Sequence, residues 1–314
     1  MNIAIIGSSS FLGKRIAESF SQSNTELKLF SRKRPHTSAP AQWIEYNFPD
    51  KRLNYDELAK NDVIYYCAGA GIQPGNKDSK SLIEELNFHE PVRLINNLKE
   101  KKFKGKLVTF GSYFEIGNSN KEHCYSEDEL INHNNELIND YSRTKHQLTK
   151  FISNLFKTEK PSFILQHFIL TNFYGYSENE NRLIPYIVKS ALNGEKLKFT
   201  SGSQMRQFTH IKDIVSFLRQ NHSNTQIGIF NLTDTAVISV KELIHLALEL
   251  IKEKMNITSL AEFGTASKSD ILMKYLALDA SMLNKYFNFH PAISLKEGIN
   301  EYILNYGADQ KNIK

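Results

Sequence analysis

The chain opens on NIAIIGSSSFLGKRIAESF, residues 2–20, and this stretch restricts the fold more than any other. An apolar run too short for a buried helix meets Gly7, and an amphipathic periodicity begins directly after it. Strand, glycine turn and helix in that order predict the first unit of a parallel sheet. Such a turn aims backbone N–H groups and a helix N-terminus at an anion such as a pyrophosphate. Gly7 and Gly13 permit the close approach, where a Cβ would block helix-to-strand packing.

The same alternation continues. LKLFS, WIEYNF, DVIYYCAGA, KLVTFGS and SFILQHFIL read as further strands, with helical stretches among them, including NDYSRTKHQLTKFISNLF. Near-continuous apolar strands separated by helices predict an α/β, Rossmann-like doubly wound parallel sheet. From about residue 170 the rhythm changes. A helix begins near Pro185 and closes at Gly194, IGIFNLTD reads as a strand, and VKELIHLALELIKEKM is strongly amphipathic. Residues 1–170 are therefore predicted as a Rossmann domain, with a returning strand near 226–234. Residues 171–314 are predicted as mainly a smaller C-terminal lobe; the motifs below make the first the NADP-binding domain and the second the substrate-binding lobe.

Composition narrows the class of function. The net charge is only +5, from 39 basic and 34 acidic residues, and no basic stripe is interleaved with aromatics. Nucleic acid is not an expected partner. The N-terminus lacks a signal-peptide pattern and no apolar run approaches about 18 residues, so neither export nor a membrane span is expected. Cys67 and Cys124 make no metal-type pair and suit a reducing cytoplasm; no metal site is expected around His123, Cys124 and His133.

At the end of the second strand, LFSRKRP places Ser31 where an acidic residue would accept the ribose hydroxyls of NAD(H). Arg32 follows, and a guanidinium suits a 2′-phosphate, so NADP(H) is the expected cofactor, with NAD(H) as the alternative. In NDYSRTKHQLTKF, Tyr141 and Lys145 stand four residues apart and project from one helical face.

Together these features resemble the extended short-chain dehydrogenase/reductase family, the nucleotide-sugar epimerase, dehydratase and reductase group, from Asn2 to about Tyr306. GSSSFLG is similar to its GxxGxxG turn, with Ser10 in place of the middle glycine. DVIYYCAGAG resembles the fourth-strand DVVxHxAA segment, and LNFHEP supplies Asn87. VTFGSYFEIG is similar to SSxxVYG and aligns Ser112 with the catalytic Ser/Thr, while YSRTK supplies the tyrosine and lysine. TNFYG, MRQFTHIKDI and NLTDTAVISVKEL resemble xNVYG, xRxFxHVxDV and NxGxGxxxSxxEL.

The resemblance implies a catalytic set of Ser112, Tyr141 and Lys145. Tyr141 would be the general acid or base, its phenol (pKa about 10) lowered by Lys145. Unit charges about 4 Å apart at an effective dielectric of 20 interact by about 4 kcal/mol. The resemblance further implies a cofactor site of Gly7, Ser9, Ser10, Phe11, Leu12, Gly13, Ser31, Arg32, Asn47, Phe48, Ala68, Gly69 and Asn87, beside Tyr141 and Lys145. Substrate would meet Ser112, Tyr113, Phe114, Asn172 and Arg206. A structural ion pair is the other reading of Arg206, and His210 and Asp213 are expected to brace a strand-to-helix junction.

Within the family, the 4,6-dehydratases carry an Asp-Glu pair just after the catalytic Ser/Thr. Tyr113 and Phe114 stand there and cannot do that acid–base work. The 196–215 and 261–283 segments resemble bacterial 4-keto-6-deoxysugar reductases of the CDP-paratose and CDP-abequose synthase type. The expected reaction is NADPH-dependent reduction of a nucleotide-linked 4-keto-6-deoxyhexose, for surface polysaccharide synthesis. A nucleotide-sugar 4-epimerase with tightly held NAD is one alternative, and a non-catalytic dinucleotide-sensing module another. Family members commonly form homodimers through the tyrosine helix and the one before it; RLINNL and HQLTKFISNLF offer apolar stripes.

Overall fold

Apolar runs with no polar alternation must be covered on both faces, and they form the middle of one sheet. The computed structural model describes residues 1–314 apart from 22–24, 39, 72–77, 120, 267–272 and 314, and apart from the side chains of 310–313. Its main sheet comprises β1 (Asn2–Ile6), β2 (Glu26–Ser31), β3 (Ala41–Glu45), β4 (Val63–Tyr66), β5 (Lys106–Ser112), β6 (Ile164–Leu170) and the strand Gly228–Leu232. All seven pair in parallel, in the order Gly228–Leu232, β6, β5, β4, β1, β2, β3. Ile3 of β1 is in register with Leu27 on one side and Val63 on the other. Strand order reverses at β1, so connections diverge there and leave a crevice beyond the carboxyl ends. This is the Rossmann-like doubly wound α/β fold.

Each sheet face has its own core. On one, Leu12, Ile16 and Ala17 of the helix Phe11–Ser19 pack with Ile214 and Phe217 of the helix Ile211–Gln220. On the other, Leu94, Ile95 and Leu98 of the helix Glu90–Glu100 join Leu148 and Ile152 of the helix Asp140–Thr158 over Ile64 and Leu107. Burying each such side chain contributes roughly 1.5–3 kcal/mol. The two stripes offered above as a dimer seam are largely taken up by this core; Val92 and Phe151 remain half-buried at its edge.

A third core lies outside the sheet. The helices Leu183–Leu192, Val240–Met255 and Leu295–Ile313 bury Ile187, Val188, Ile244, Ala247, Ile251 and Ile303 among themselves. Ser239 and Glu242 form a reciprocal capping box that starts the middle helix, and Gly194, at φ +70°, follows the end of the first. Asp213 accepts N–H groups from Ala292 (3.1 Å) and Ile293 (3.3 Å), bracing the approach to the last helix. His210 only packs, edge-on to Tyr174, and neither ring nitrogen has a hydrogen-bond partner.

Among the described residues no helix is long and apolar enough to cross a membrane, and no group of three or more His, Cys, Asp or Glu is placed to hold a metal ion. Residues 267–272, inside the 261–283 stretch that carries part of the resemblance, lie outside the described residues.

Candidate active site

The first turn uses its two glycines for different purposes. Gly7 sits at φ +79°, and a Cβ there would lie 2.4 Å from the Ala68 backbone nitrogen. Gly13 adopts ordinary helical geometry, but its Cβ would lie 2.5 Å from the Gly7 carbonyl oxygen. One glycine lets the turn touch the segment just after β4; the other lets the helix touch the turn. Ser10, in the middle position, is the N-cap: its hydroxyl accepts the Gly13 N–H at 3.1 Å.

Above this turn lies a trench of about 500 Å³. Gly7, Ser9, Ser10, Phe11, Ser31, Arg32, Asn47, Phe48, Ala68 and Gly69 line it. Lys14 and Arg15 add positive charge, with Asp78 as the carboxylate among the lining residues. Arg32 is exposed and makes no ion pair among the described residues. Leu12 lines the adjoining pocket instead.

Three residues expected to face the cofactor have structural duties. Gly13 lines no cavity at the cleft. The Ser31 hydroxyl donates to the Lys33 carbonyl (2.7 Å) and accepts from Ser8 (3.1 Å) and Trp43 (3.3 Å), so it is already engaged. Asn87 is wholly buried. Its amide donates to the Ala70 carbonyl (3.0 Å) and Thr144 (3.1 Å) and accepts from the Ala70 N–H (3.1 Å). It ties the loop after β4 to the tyrosine helix.

Next to the trench, a smaller pocket of about 160 Å³ brings together Ser112, Tyr113, Phe114, Tyr141, Lys145 and Asn172. Ser112 ends β5, and its hydroxyl accepts the Phe114 N–H at 3.3 Å. Asn139 caps the helix that carries Tyr141 and Lys145, accepting the Ser142 N–H at 2.7 Å. Lys145 Nζ donates to the Phe110 carbonyl (2.8 Å) and lies 6.0 Å over the Tyr141 ring.

The electrostatics correct the sequence-based expectation. Burial pushes the Tyr141 phenol up to about 12, opposed mainly by hydrogen bonding from Ser112. Lys145 does not pull it below its ordinary value, because burial also pulls the ammonium down. The phenol is therefore held protonated, ready to donate to an oxygen that gains negative charge.

Tyr113 and Phe114 pack edge to face and divide this pocket from a third cavity of about 490 Å³, which Asn172 and Arg206 also line. Arg206 is buried. Its Nη1 donates to the carbonyls of Met205 (2.8 Å) and Lys274 (3.4 Å), while Nη2 has no partner. No carboxylate pairs with it among the described residues, so the ion-pair reading of Arg206 is not realised. A buried, unsatisfied guanidinium nitrogen beside a cavity is suited to an anion.

Sequence reasoning missed Glu178, Asn179 and Arg182, which line the small pocket with Ser112, Tyr141 and Lys145. Arg182 Nε is 3.8 Å from Glu178 Oε2, yet burial still pushes this carboxyl up to about 8, and Oε1 has no partner. The one available signal was an arginine placed immediately before the apolar helix Leu183–Leu192. Cys67, read as a plain buried hydrophobe, lines both the trench and the pocket.

The chain is 23% identical to a CDP-abequose synthase of Salmonella typhimurium over 96% of its own length and 97% of the relative's. It is 21% identical to another from Salmonella muenchen, over 96% of each. Among solved structures, MoeE5 in complex with UDP-glucuronic acid and NAD superposes with a TM-score of 0.83 at 18% identity, covering 98% of this chain and 100% of that one. A UDP-glucose 4-epimerase of Thermotoga maritima superposes at 0.82 and 16% identity over the whole of both. The model of the NAD dependent epimerase/dehydratase family matches residues 3–232, from β1 through the last strand of the sheet, and the chain belongs to that family.

Proposed function

We propose that this protein reduces the C4 ketone of a nucleotide-diphospho-4-keto-6-deoxyhexose, CDP- or dTDP-linked, to the 4-hydroxy sugar, for surface polysaccharide synthesis. The observation that carries this is the small pocket itself, where Ser112, Tyr141 and Lys145 meet with no carboxylate at positions 113 and 114. Near full-length similarity to two CDP-abequose synthases supports the same reading.

NADPH bound along the trench would supply the hydride. Arg32, which lines the trench just after β2, would hold its 2′-phosphate, with no acidic side chain at position 31 to oppose it. Tyr141 donates its phenolic proton to the C4 oxygen as negative charge develops there; burial keeps that proton in place beforehand. Ser112 orients that oxygen, and Lys145 holds the phenol side of the pocket positive. Asn172, Arg182 and Arg206 bind the substrate diphosphate in the third cavity. In this reading residues 1–170, with the returning strand, hold the cofactor and residues 171–314 hold the sugar nucleotide.

The test is incubation with NADPH and CDP- or dTDP-4-keto-6-deoxyglucose. Oxidation of NADPH with formation of the 4-hydroxy sugar is expected. No consumption with either substrate would overturn the proposal.

A further inference from the structure

Glu115 is wholly buried behind the pocket that holds Ser112, Tyr141 and Lys145, and lines none of it. A carboxylate removed from water costs several kcal/mol unless it is hydrogen-bonded and balanced by charge. Both oxygens are held. Oε1 accepts the Ser112 N–H at 2.7 Å, and Oε2 accepts the Thr149 hydroxyl at 2.6 Å. The backbone is shaped around it, since a Cβ on Gly111 would stand 2.5 Å from Oε1. Lys145 meets the same strand just beyond, on the Phe110 carbonyl. A carboxyl and an amine thus flank Gly111.

The other ionisable groups around Glu115 do not balance it. From the tyrosine helix, His146 Nδ1 lies 4.0 Å from Oε2 and has no hydrogen-bond partner. From β6, His167 Nε2 lies 3.0 Å from the Thr149 oxygen, and its Nδ1 lies 2.7 Å from that of Thr109. From the loop before the tyrosine helix, His133 Nε2 donates to the Glu115 carbonyl at 2.6 Å, and its ring stacks on His146 at 4.9 Å. Burial holds all three imidazoles below their ordinary range, hence neutral. Tyr141 stays protonated, and the more distant Lys150 is exposed. Burial pulls the Lys145 ammonium down and pushes the Glu115 carboxyl up to about 7, and each partner opposes the shift of the other, so the pair stays charged through their mutual attraction.

We propose that Glu115 is a positioning residue of this centre: its carboxylate is the buried counter-charge that keeps Lys145 an ammonium, and its bond to the Ser112 N–H fixes the hydroxyl beside Tyr141. The inference deepens the reading of these three residues as the reacting centre and rests on it. Glu115→Gln tests it, because it keeps the volume and the acceptor for Ser112 while removing the charge.

Competitive acetylation of lysines with acetic anhydride, read peptide by peptide by mass spectrometry across a pH series, reports the charge of Lys145 with no substrate present. The Lys145 midpoint is expected to fall by about one pH unit in the variant, about a tenfold change in the amine-to-ammonium ratio. The alkaline limb of kcat should move down with it, at unchanged NADPH affinity. An unmoved midpoint overturns the proposal, including when kcat falls equally at every pH, the mark of a merely structural role. A shifted midpoint in a protein that reduces none of the tested ketones sustains the Glu115–Lys145 coupling and removes the reductase reading alone. Should Glu115→Gln not fold, Thr149→Val, which strips one hydrogen bond from the carboxylate, is expected to move the midpoint the same way by less; no movement there also overturns the proposal.

Discussion

The trench over the first turn and the cavity beside Arg206 belong to one cleft, yet the chain builds them differently. The trench wall is largely strand ends and the loops that leave them, with close backbone approaches at Gly7 and Gly13. The Arg206 cavity is walled by side chains from short, separate segments, among them residues 113–114, 172–174, 178–184 and 199–208. A backbone-built site follows from local sequence, because a turn and its flanking elements fix it. A side-chain-built site exists only after distant segments have packed, and its specificity can change without disturbing the sheet.

Four substitutions probe this contrast, and the largest effect lies where the two walls meet. Tyr141→Phe is expected to lower kcat by about 10²–10⁴-fold, as loss of a general acid does. NADPH affinity, followed by fluorescence titration, should stay near wild type; a parallel loss of cofactor binding would show that the phenol serves the trench as well.

On the side-chain-built wall, Arg206→Met is expected to raise the KM for the sugar nucleotide about 10–100-fold, the scale of one charged hydrogen bond. The dissociation constant of NADPH should not follow. Equal change in both constants would mean that the two walls are energetically one.

Arg32→Ser addresses the trench. It should weaken NADPH by about tenfold and leave NADH unchanged, since only the 2′-phosphate contact is lost. Isothermal titration with both cofactors decides it, and equal losses would exclude Arg32 as the discriminator.

The smallest effect concerns stability. Burial holds Glu178 near 8, above its ordinary carboxylate value. The folded state therefore binds more protons than the unfolded chain between those values, and stability falls as pH rises through that window. Glu178→Gln should raise the melting temperature by a few degrees at pH above 8, by less as the pH falls, and leave it unchanged below about pH 4.5, the ordinary carboxylate value. A gain that is the same at both pH values would contradict the buried-carboxyl account.

The same contrast explains what could be read in advance. β5 and the helix Val240–Met255 are legible as KLVTFGS and VKELIHLALELIKEKM, because their periodicity is local. The YSRTK spacing likewise puts Tyr141 and Lys145 on one face. Glu178 and Arg182 were hidden because SENENR reads as a solvated connection, and only tertiary packing buries Glu178. Ser31 and Asn87 show a further limit. Both are expected at the cofactor, but their polar groups also meet partners 12 to 57 residues away as well as nearby backbone, which local sequence does not reveal. The Tyr141 pKa was misjudged because a count of charges on a helix face contains no term for lost water.

Residues 177–182 face both compartments: Ser177 and Asn179 border the trench, while Glu178 and Arg182 border the sugar side. Arg15, beside the first turn, also donates to the Tyr176 carbonyl at 2.6 Å and so anchors the start of this stretch. It acts as a party wall. One short stretch thus furnishes side chains to both compartments, so a substitution within it alters the lining of each.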